Sequence, residues 1–479
     1  MSFTTPTSQK SRQLELPLES GGEAPMVQRS EDGEVASQRT EGPGNDQQPE
    51  AVSATASLME LIVERENCLR AFKRVRSNGG SPGIDGMRVE DLKEYLQGHW
   101  QEIRASLLDG TYRPALVRRK EIPKSGGGVR QLGIPTVLDR FIQQCILQVL
   151  EPLYDPTFSE SSFGYRPGRS AIAAVEQAQR YLQSGRRWAV EIDLEKFFDR
   201  VNHDMLMGRV AKRISDKRLL KVLRGYLNAG VLVEGVVFER IEGTPQGGPL
   251  SPLLANILLD DIDRQLEKSG HHFVRYADDL TVYVKSERAG ERVLDRLRKL
   301  FGALRLSINE SKSGVRPFRR HSLLGFGFRV TKDDVICLRV SSKAVKGLKQ
   351  RVRKLTRRNR GQSLKRVIDD LRRYLQGWKS YFGRATTPGV FENLDQWIAR
   401  RVRAYQLKLW RHATAAYRAM RAMGVPERVA RSLARFPGSW WAASTHFAIH
   451  TARPRARLIA MGLPCLAPQP LPLFEPPDT

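Results

Sequence analysis

The sequence predicts an α+β fold followed by an all-helical region, and two patterns support this prediction. Between about residues 116 and 336, runs with the alternating apolar residues of strands are interspersed with runs whose apolar residues recur at helical spacing. From residue 343 onward the strand-like runs disappear and helical spacing dominates. A chain of 479 residues is long enough for two or three domains with sizeable cores.

The first predicted helix begins near residue 58, after an acidic leader. Residues 1–55 hold four Lys/Arg against nine Asp/Glu and almost no aromatics, so we expect this leader to be disordered. Apolar residues then recur at helical spacing, at Leu58, Leu61, Cys68, Phe72 and Val75. The glycine-rich stretch NGGSPGIDG (78–86) ends that helix.

The middle of the chain holds the predicted strands and three long helices. The strand-like stretches are VRRKEIPK (117–124), RRWAVEIDL (186–194), GVVFERIEG (235–243), HHFVRYADDLTVYV (271–284) and SLLGFGFRV (322–330). The helical stretches are LDRFIQQCILQVLEPLY (138–154), PLLANILLDDIDRQLEK (252–268) and GERVLDRLRKLFGAL (290–304). Another amphipathic helix is predicted around residues 391–409. The tail from residue 461 is proline-rich, which predicts an extended or disordered segment.

The charge is strongly basic and unevenly distributed. The formal net charge is +27, and residues 343–411 alone hold 20 Lys/Arg against 4 Asp/Glu. A helical face kept only for solubility would mix both signs. This excess of one sign therefore favours contact with a polyanion such as a nucleic acid.

Cysteine usage and hydropathy argue against two classes of protein. The four cysteines (Cys68, Cys145, Cys337 and Cys465) are scattered and form no CxxC pair. They predict reduced thiols and neither a zinc site nor a disulfide framework. No apolar run approaches the ~18 residues of a membrane span, and the N-terminus has no signal-peptide pattern, so we expect a cytoplasmic protein.

Three aspartates stand at the ends of predicted strands. Asp193 follows the apolar run AVEI, and Asp278 and Asp279 occupy the tip of a predicted hairpin in RYADDLTVYV (275–284). Alone, Asp193 is explained as a helix N-cap and the adjacent pair as a solvated turn. Together, carboxylates from different strands favour a site for divalent magnesium ions that act in phosphoryl transfer.

An ordered set of motifs resembles the palm and fingers of reverse transcriptases. It comprises IPKSGGGVRQLGIPT (122–136), FGYRPGRS (163–170), Asp193 with Phe198, TPQGGPLSPLLANI (244–257), YADD (276–279), LSINESKSGVRP (306–317) and LLGFGF (323–328). GIDG (83–86) and LQGWKSYFGRATTPGVFENLDQWIARRVRAYQLKLW (375–410) resemble, more specifically, the opening motif and the maturase region of proteins encoded by group II introns. The resemblance covers roughly residues 56–460. It implies a right-hand polymerase fold followed by a helical thumb and maturase domain.

The resemblance implies a role for each of these motif residues. Asp193, Asp278 and Asp279 would hold two Mg²⁺ ions, and Lys312 would act as general acid toward pyrophosphate. The nucleotide-binding residues would be Lys124 and Arg130 on the triphosphate, Phe198 against a ribose 2′-hydroxyl, and Gln246 at the nucleotide and template. Without the resemblance, Lys124 and Arg130 are surface charges, Phe198 is a core phenylalanine and Gln246 lies in an ordinary Gly-Pro turn.

The basic region would form the thumb and hold structured intron RNA. Its predicted RNA-binding residues are Arg353, Lys354, Arg357, Arg358, Trp378, Tyr381, Arg400 and Arg401, although aromatics at helical spacing belong more often to a core. The predicted domains are the leader (1–55), fingers and palm (56–336), thumb and maturase with a basic C-terminal region (337–460), and the tail (461–479). Many relatives carry a further HNH-type endonuclease, and we expect this module to be absent here.

Three functions remain open from the sequence. The first is an RNA-directed DNA polymerase that also assists splicing of its host intron, with intron RNA, template RNA and DNA primer, deoxynucleotides and target DNA as partners. The second is an RNA-binding splicing cofactor with a vestigial polymerase site. The third is a reverse transcriptase of a retron, defence or diversity-generating system. The maturase-like region argues against the third.

Overall fold

The computed structural model describes residues 57–123, 129–233, 236–238, 242–243, 247–434, 436 and 438–468. The acidic leader therefore lies outside the described residues, as do Lys124 and Gln246 and most of the proline-rich tail. The described chain combines helices and strands, as predicted, and its last described strand ends at Val340. No helix among the described residues is long and apolar enough to cross a bilayer.

Nine helices are described between residues 57 and 303. They are α1 (Leu58–Ile62), α2 (Arg65–Asn78), α3 (Leu92–Leu108), α4 (Val137–Tyr154), α5 (Ala171–Gln183), α6 (His203–Ala211), α7 (Lys217–Asn228), α8 (Ser251–Lys268) and α9 (Glu287–Ala303). Several begin at a capping side chain, as the hydroxyl of Thr136 does when it accepts from the backbone nitrogen of Asp139. Short 3₁₀ turns lie at Asp155–Thr157 and Phe197–Asp199.

The strands form three separate sheets. They are β1 (Val117–Pro123), β2 (Val129–Ile134), β3 (Trp188–Ile192), β4 (Val231–Val233), β5 (Val236–Phe238), β6 (His272–Tyr276), β7 (Asp279–Val284), β8 (Gly314–Pro317), β9 (Ser322–Leu323), β10 (Phe326–Val330) and β11 (Ile336–Val340). The strand orders are β2-β1-β4-β5, β6-β7-β3-β8 and β11-β10-β9. Strand β1 pairs antiparallel with β2 and parallel with β4.

Strand β11 corrects the predicted start of the helical region. The sequence predicts an all-helical domain from residue 337, but residues 337–340 pair antiparallel with β10. Ile336, Leu338 and Val340 point inward and are buried, whereas Arg339 is exposed. This alternation with a period of two is the ordinary signature of a half-buried strand.

From Ser342 onward the described regular structure is helical. The helices are α10 (Ser342–Leu355), α11 (Leu364–Phe382), α12 (Pro388–Trp410), α13 (Ala413–Ala422), α14 (Glu427–Ala434), α15 (Trp440–Ala443), α16 (Phe447–Ala452) and α17 (Arg455–Ala460). The tail residues that follow α17 are packed as far as Ala467. The buried carboxylate of Asp395 on α12 accepts from the backbone nitrogens of Leu466 (2.9 Å) and Ala467 (3.0 Å), and from Arg455.

Chain contacts divide the molecule into two compact units. The first contains the described parts of Met1–Arg169, Glu191–Thr281 and Arg292–Gly314, and the second contains those of Ser170–Val190, Val282–Glu291 and Val315–Thr479. The sequence predicts a boundary between residues 336 and 337 that separates fingers and palm from thumb and maturase. That boundary stays a prediction.

Candidate active site

Asp193 directly follows a buried strand. Ala189, Val190 and Ile192 of β3 are at most 3% exposed, so the strand is fixed and its end is well defined. The segment that follows α9 forms hydrogen bonds with the backbone of Asp193. The carbonyl of Asp193 accepts from the backbone nitrogen of Asn309 (2.8 Å), and the nitrogen of Asp193 donates to the hydroxyl of Ser313 (2.9 Å).

Asp278 lies in the turn between β6 and β7. Ala277 adopts a left-handed conformation (φ 59°), which is uncommon for a residue other than glycine. Asp278 is half-buried, whereas Asp279 begins β7 and is exposed. The predicted hairpin with its aspartate tip is therefore present.

A cavity of about 580 Å³ joins the two half-buried aspartates. Its lining includes Asp193, Asp278, Phe198 and Lys312, all in the first unit. Val129 and Gln131 of β2 also line it. The structure thus brings together carboxylates that are far apart in sequence.

Lys312 contacts Asp193 directly. Its Nζ lies 2.9 Å from Oδ2 of Asp193, and both side chains are partly exposed, at 63% and 36%. Such an ion pair is screened by water and contributes little to stability. It shows, however, that the Asp193 carboxylate offers an oxygen to a cation.

The carboxylates suit a hard divalent ion. Within the described ranges, no group of three or more Asp, Glu, His or Cys side chains is close enough to hold a metal by itself. Magnesium is commonly bound by one or two carboxylates, with substrate phosphates and water completing its shell. Asp193 and Asp278 fit that mode of binding, and Asp279 follows Asp278 in the chain.

Two neighbouring phenylalanines have different environments. Phe197 is 2% exposed, whereas Phe198 is half-buried, and both residues belong to the cavity lining. Their rings meet edge to face with centroids 5.0 Å apart. The close approach of Gly243 to the carbonyl of Phe198 leaves no room there for a side chain, because a Cβ would lie 2.8 Å from that oxygen.

His203, which the sequence did not single out, links two parts of this region. The buried imidazole of His203 is 2.7 Å from the carbonyl of Gly243 through Nε2 and 3.1 Å from Oδ1 of Asn228 through Nδ1. Gly243 ends the described chain just before the segment that holds Gln246. No local pattern marks this histidine, because both of its partners are distant in sequence.

The predicted triphosphate-binding residues are only partly described. Arg130 lies on β2, with its backbone opposite Ile122 of β1. Its strand neighbours Val129 and Gln131 line the cavity. Lys124 and Gln246 lie outside the described residues, so the roles of these three side chains remain predictions.

Four of the predicted RNA-binding residues form an exposed basic cluster at the C-terminal end of α10. They are Arg353, Lys354, Arg357 and Arg358, hereafter the α10 cluster. Arg401 lies beside them, and its guanidinium donates to Oγ1 of Thr356 (3.0 Å). Burial, followed by the positive charges of Arg358 and Arg353, lowers the pKa of Arg401. Positive charges are therefore concentrated at the C-terminal end of α10.

The two predicted RNA-binding aromatics, Trp378 and Tyr381, both make contacts inside the protein. Trp378 is only 8% exposed and packs against Phe382 and Phe391, with ring centroids 4.7 and 6.1 Å away. This burial favours a core role over contact with RNA. Tyr381 is half-buried, and its hydroxyl donates to the carbonyl of Leu324 (2.9 Å).

Arg400 also has an internal partner. Its guanidinium lies over the ring of Trp441, 3.9 Å from the centroid, and donates to the carbonyl of the same residue (3.2 Å). Arg400 and Arg401 thus each stabilise a neighbouring helix end or ring. Both arginines are partly buried, whereas the α10 cluster is exposed, and contact of any of these residues with RNA stays a prediction.

Comparison with known proteins shows matches to two families. Residues 122–328 match the family "Reverse transcriptase (RNA-dependent DNA polymerase)", and residues 345–424 match "Group II intron, maturase-specific domain". Protein YkfC of Escherichia coli K12 is 32% identical over 316 residues, which cover 57% of this chain and 83% of YkfC. Group II intron-encoded protein LtrA of Lactococcus lactis is 36% identical over 242 residues, which cover 48% of this chain and 39% of LtrA.

The chain belongs to the family of group II intron-encoded reverse transcriptases with a maturase domain. The match to LtrA covers well under half of that protein's length. Among solved structures, a partial Cas6-RT-Cas1–Cas2 complex aligns at a TM-score of 0.34 and 26% identity, covering 52% of this chain and 43% of that one.

Proposed function

We propose that the protein is an RNA-directed DNA polymerase that also binds group II intron RNA as a maturase and copies it during intron mobility. The observation that carries this proposal is the shared cavity of Asp193 and Asp278, which lies within the segment matching the reverse transcriptase family. Template RNA with a DNA primer, deoxynucleotides and target DNA are its proposed partners. A cytoplasmic location, with action at the nucleoid, follows from those partners.

Asp193, Asp278 and Asp279 would hold two Mg²⁺ ions. When bound, such ions supply charge stabilisation to the attacking and leaving oxygens of nucleotidyl transfer. Lys312, whose Nζ lies 2.9 Å from Oδ2 of Asp193, would donate a proton to departing pyrophosphate. Lys124, Arg130 and Gln246 would bind the incoming nucleotide, for which arginine offers a bidentate fork.

The roles proposed for the two parts of the chain follow the two family matches. Residues 56–336 would provide fingers and palm, and residues 337–460 would provide the thumb and maturase surface. The α10 cluster lies within the maturase match and supplies exposed positive charge for RNA phosphates. The competing function is a splicing cofactor without polymerase activity. Primer extension on an RNA template distinguishes the two.

Phe198 gives a specific test of the proposed nucleotide site. We expect Phe198→Ala to raise incorporation of ribonucleotides relative to deoxynucleotides, because the ring lines the cavity and its removal makes space for a 2′-hydroxyl. Single-nucleotide extension with each sugar measures this ratio. The neighbouring Phe197→Ala is the matched control. It should lower stability by about 3–5 kcal/mol with a much smaller effect on the ratio, because the Phe197 side chain is 2% exposed and packs in the core. Unchanged discrimination in Phe198→Ala would assign that ring to packing.

A further inference from the structure

We propose that Arg275 is the positioning residue of the active site, and that its buried guanidinium fixes the turn that presents Asp278 to the cavity. This inference rests on the proposed polymerase function. It concerns a side chain that does not reach the cavity, since Arg275 is 1% exposed.

The guanidinium of Arg275 is held on one side by a buried carboxylate. Its Nε lies 2.9 Å from both carboxylate oxygens of Asp263 on α8, and Nη2 contacts the same group. The side chain of Asp263 is 0% exposed. This pairing leaves Nη1 aimed at the hairpin in a fixed geometry, because the guanidinium is planar.

Nη1 of Arg275 bonds directly to the turn. It donates to the carbonyl of Ala277 (3.0 Å), the residue in left-handed conformation just before Asp278. The same nitrogen donates to Oδ1 of Asn256 (2.8 Å) on α8. An alanine with positive φ is unfavourable unless its surroundings hold it. Arg275 provides that restraint from inside the protein.

Asn256 extends the restraint to the other side of the turn. Its Nδ2 donates to the carbonyl of Gly164 (3.0 Å), and it is 1% exposed. A Cβ at Gly164 would clash with the backbone nitrogen of Ala277 and would lie 2.9 Å from the carbonyl carbon of Tyr276. The backbone of Arg275 also bonds to this segment, donating to Ser161 and accepting from Phe163 at 2.9 Å each. The turn is thus held by side chains of β6 and α8 on one side and contacts the segment around Gly164 on the other.

The simpler explanation is a buried ion pair that only stabilises α8 against β6. The two explanations differ in what happens when the charges are replaced by apolar side chains. Such a replacement is often neutral or stabilising for folding, because it removes the cost of burying charge. It would nevertheless remove the hydrogen bond to the carbonyl of Ala277. Stability and turn geometry are therefore separable.

The test is the double variant Arg275→Met with Asp263→Leu in the full chain. Three quantities are measured: the melting temperature, the single-turnover rate of primer extension on RNA at saturating nucleotide, and amide hydrogen exchange in the peptide 272–284. We expect a melting temperature close to that of the wild type and faster exchange at the turn. The rate should fall roughly 10- to 100-fold, because a displacement of about 1 Å at a reacting group has an effect of that order.

The matched control is Arg209→Met with Asp261→Leu. That ion pair also involves α8, but it joins α8 to α6, with Nε of Arg209 2.7 Å from Oδ2 of Asp261. The control should retain both the extension rate and the exchange pattern of the turn. If the first double variant does not fold, Asn256→Ala replaces it, because that change keeps the buried ion pair and removes the hydrogen bonds of Asn256 to Gly164 and to Nη1 of Arg275.

The inference would be overturned if a folded Arg275 double variant, or Asn256→Ala, kept the wild-type rate of primer extension and the wild-type hydrogen exchange at the turn. Equal rate loss in the Arg209 control would do the same, since any disturbance of α8 would then suffice. Absence of DNA synthesis by the wild type would instead refute the proposed function, and hydrogen exchange would still test whether Arg275 holds the turn.

Discussion

Replacing Asp278 and Asp279 together with alanine is expected to abolish magnesium-dependent DNA synthesis on an RNA template. Asp278 lines the same cavity as Asp193, so the variant loses one of the two half-buried cavity aspartates and the neighbouring exposed Asp279. Loss of several kcal/mol of transition-state charge stabilisation corresponds to roughly 10³-fold or more in rate. Primer extension with a labelled DNA primer measures the effect.

The same variant should still bind structured group II intron RNA. The α10 cluster that we propose for this contact lies in the maturase match, far along the chain from the hairpin. The control is Asp333→Ala with Asp334→Ala, which removes an exposed aspartate pair from the turn between β10 and β11. This control should retain synthesis. Undiminished extension by the Asp278/Asp279 variant would refute the metal assignment.

The second large effect concerns the salt dependence of RNA binding. Changing Arg353, Lys354, Arg357 and Arg358 to glutamine removes four exposed charges from the α10 cluster. Each phosphate contact adds about 0.7–0.9 to the slope of log affinity against log salt concentration. We therefore expect weaker binding and a slope reduced by roughly 3, measured by titrating intron RNA across a salt series.

A matched change on another helix separates specific contact from net charge. Arg288, Arg292, Arg296 and Lys299 on α9 are also exposed, and their conversion to glutamine removes the same formal charge. This control should change the slope far less. An unchanged slope in the α10 variant, with an unchanged melting temperature, would show that the cluster is only a solvated face.

The approach of Asp193 to Asp278 was predictable because both follow apolar runs that end abruptly. Strand β3 is buried at Ala189 and Val190, so its end had to be a defined position. The different environments of Phe197 and Phe198 were also anticipated from the motif. By contrast, β11 was missed although Ile336, Leu338 and Val340 alternate, because its run is short and follows charged residues.

Other features depend on partners that a sequence does not reveal. For Trp378 and Tyr381, the sequence left both RNA contact and a core role open, because it does not show which ring packs against other aromatics. Arg400 was predicted to bind RNA, and the sequence did not show that its guanidinium stacks on Trp441, 41 residues later. The bonds of Arg275 to Asp263 and Ala277 were likewise invisible, because an arginine before a hairpin turn is usually solvated.

The central claim is tested most directly by extension of a DNA primer on an RNA template by the full-length wild-type protein with Mg²⁺ and deoxynucleotides. The account predicts extension to the end of the template, with no product when Mg²⁺ is chelated. RNA binding is measured in the same preparation. A folded protein that binds intron RNA tightly but extends no primer would contradict the account and would identify a splicing cofactor.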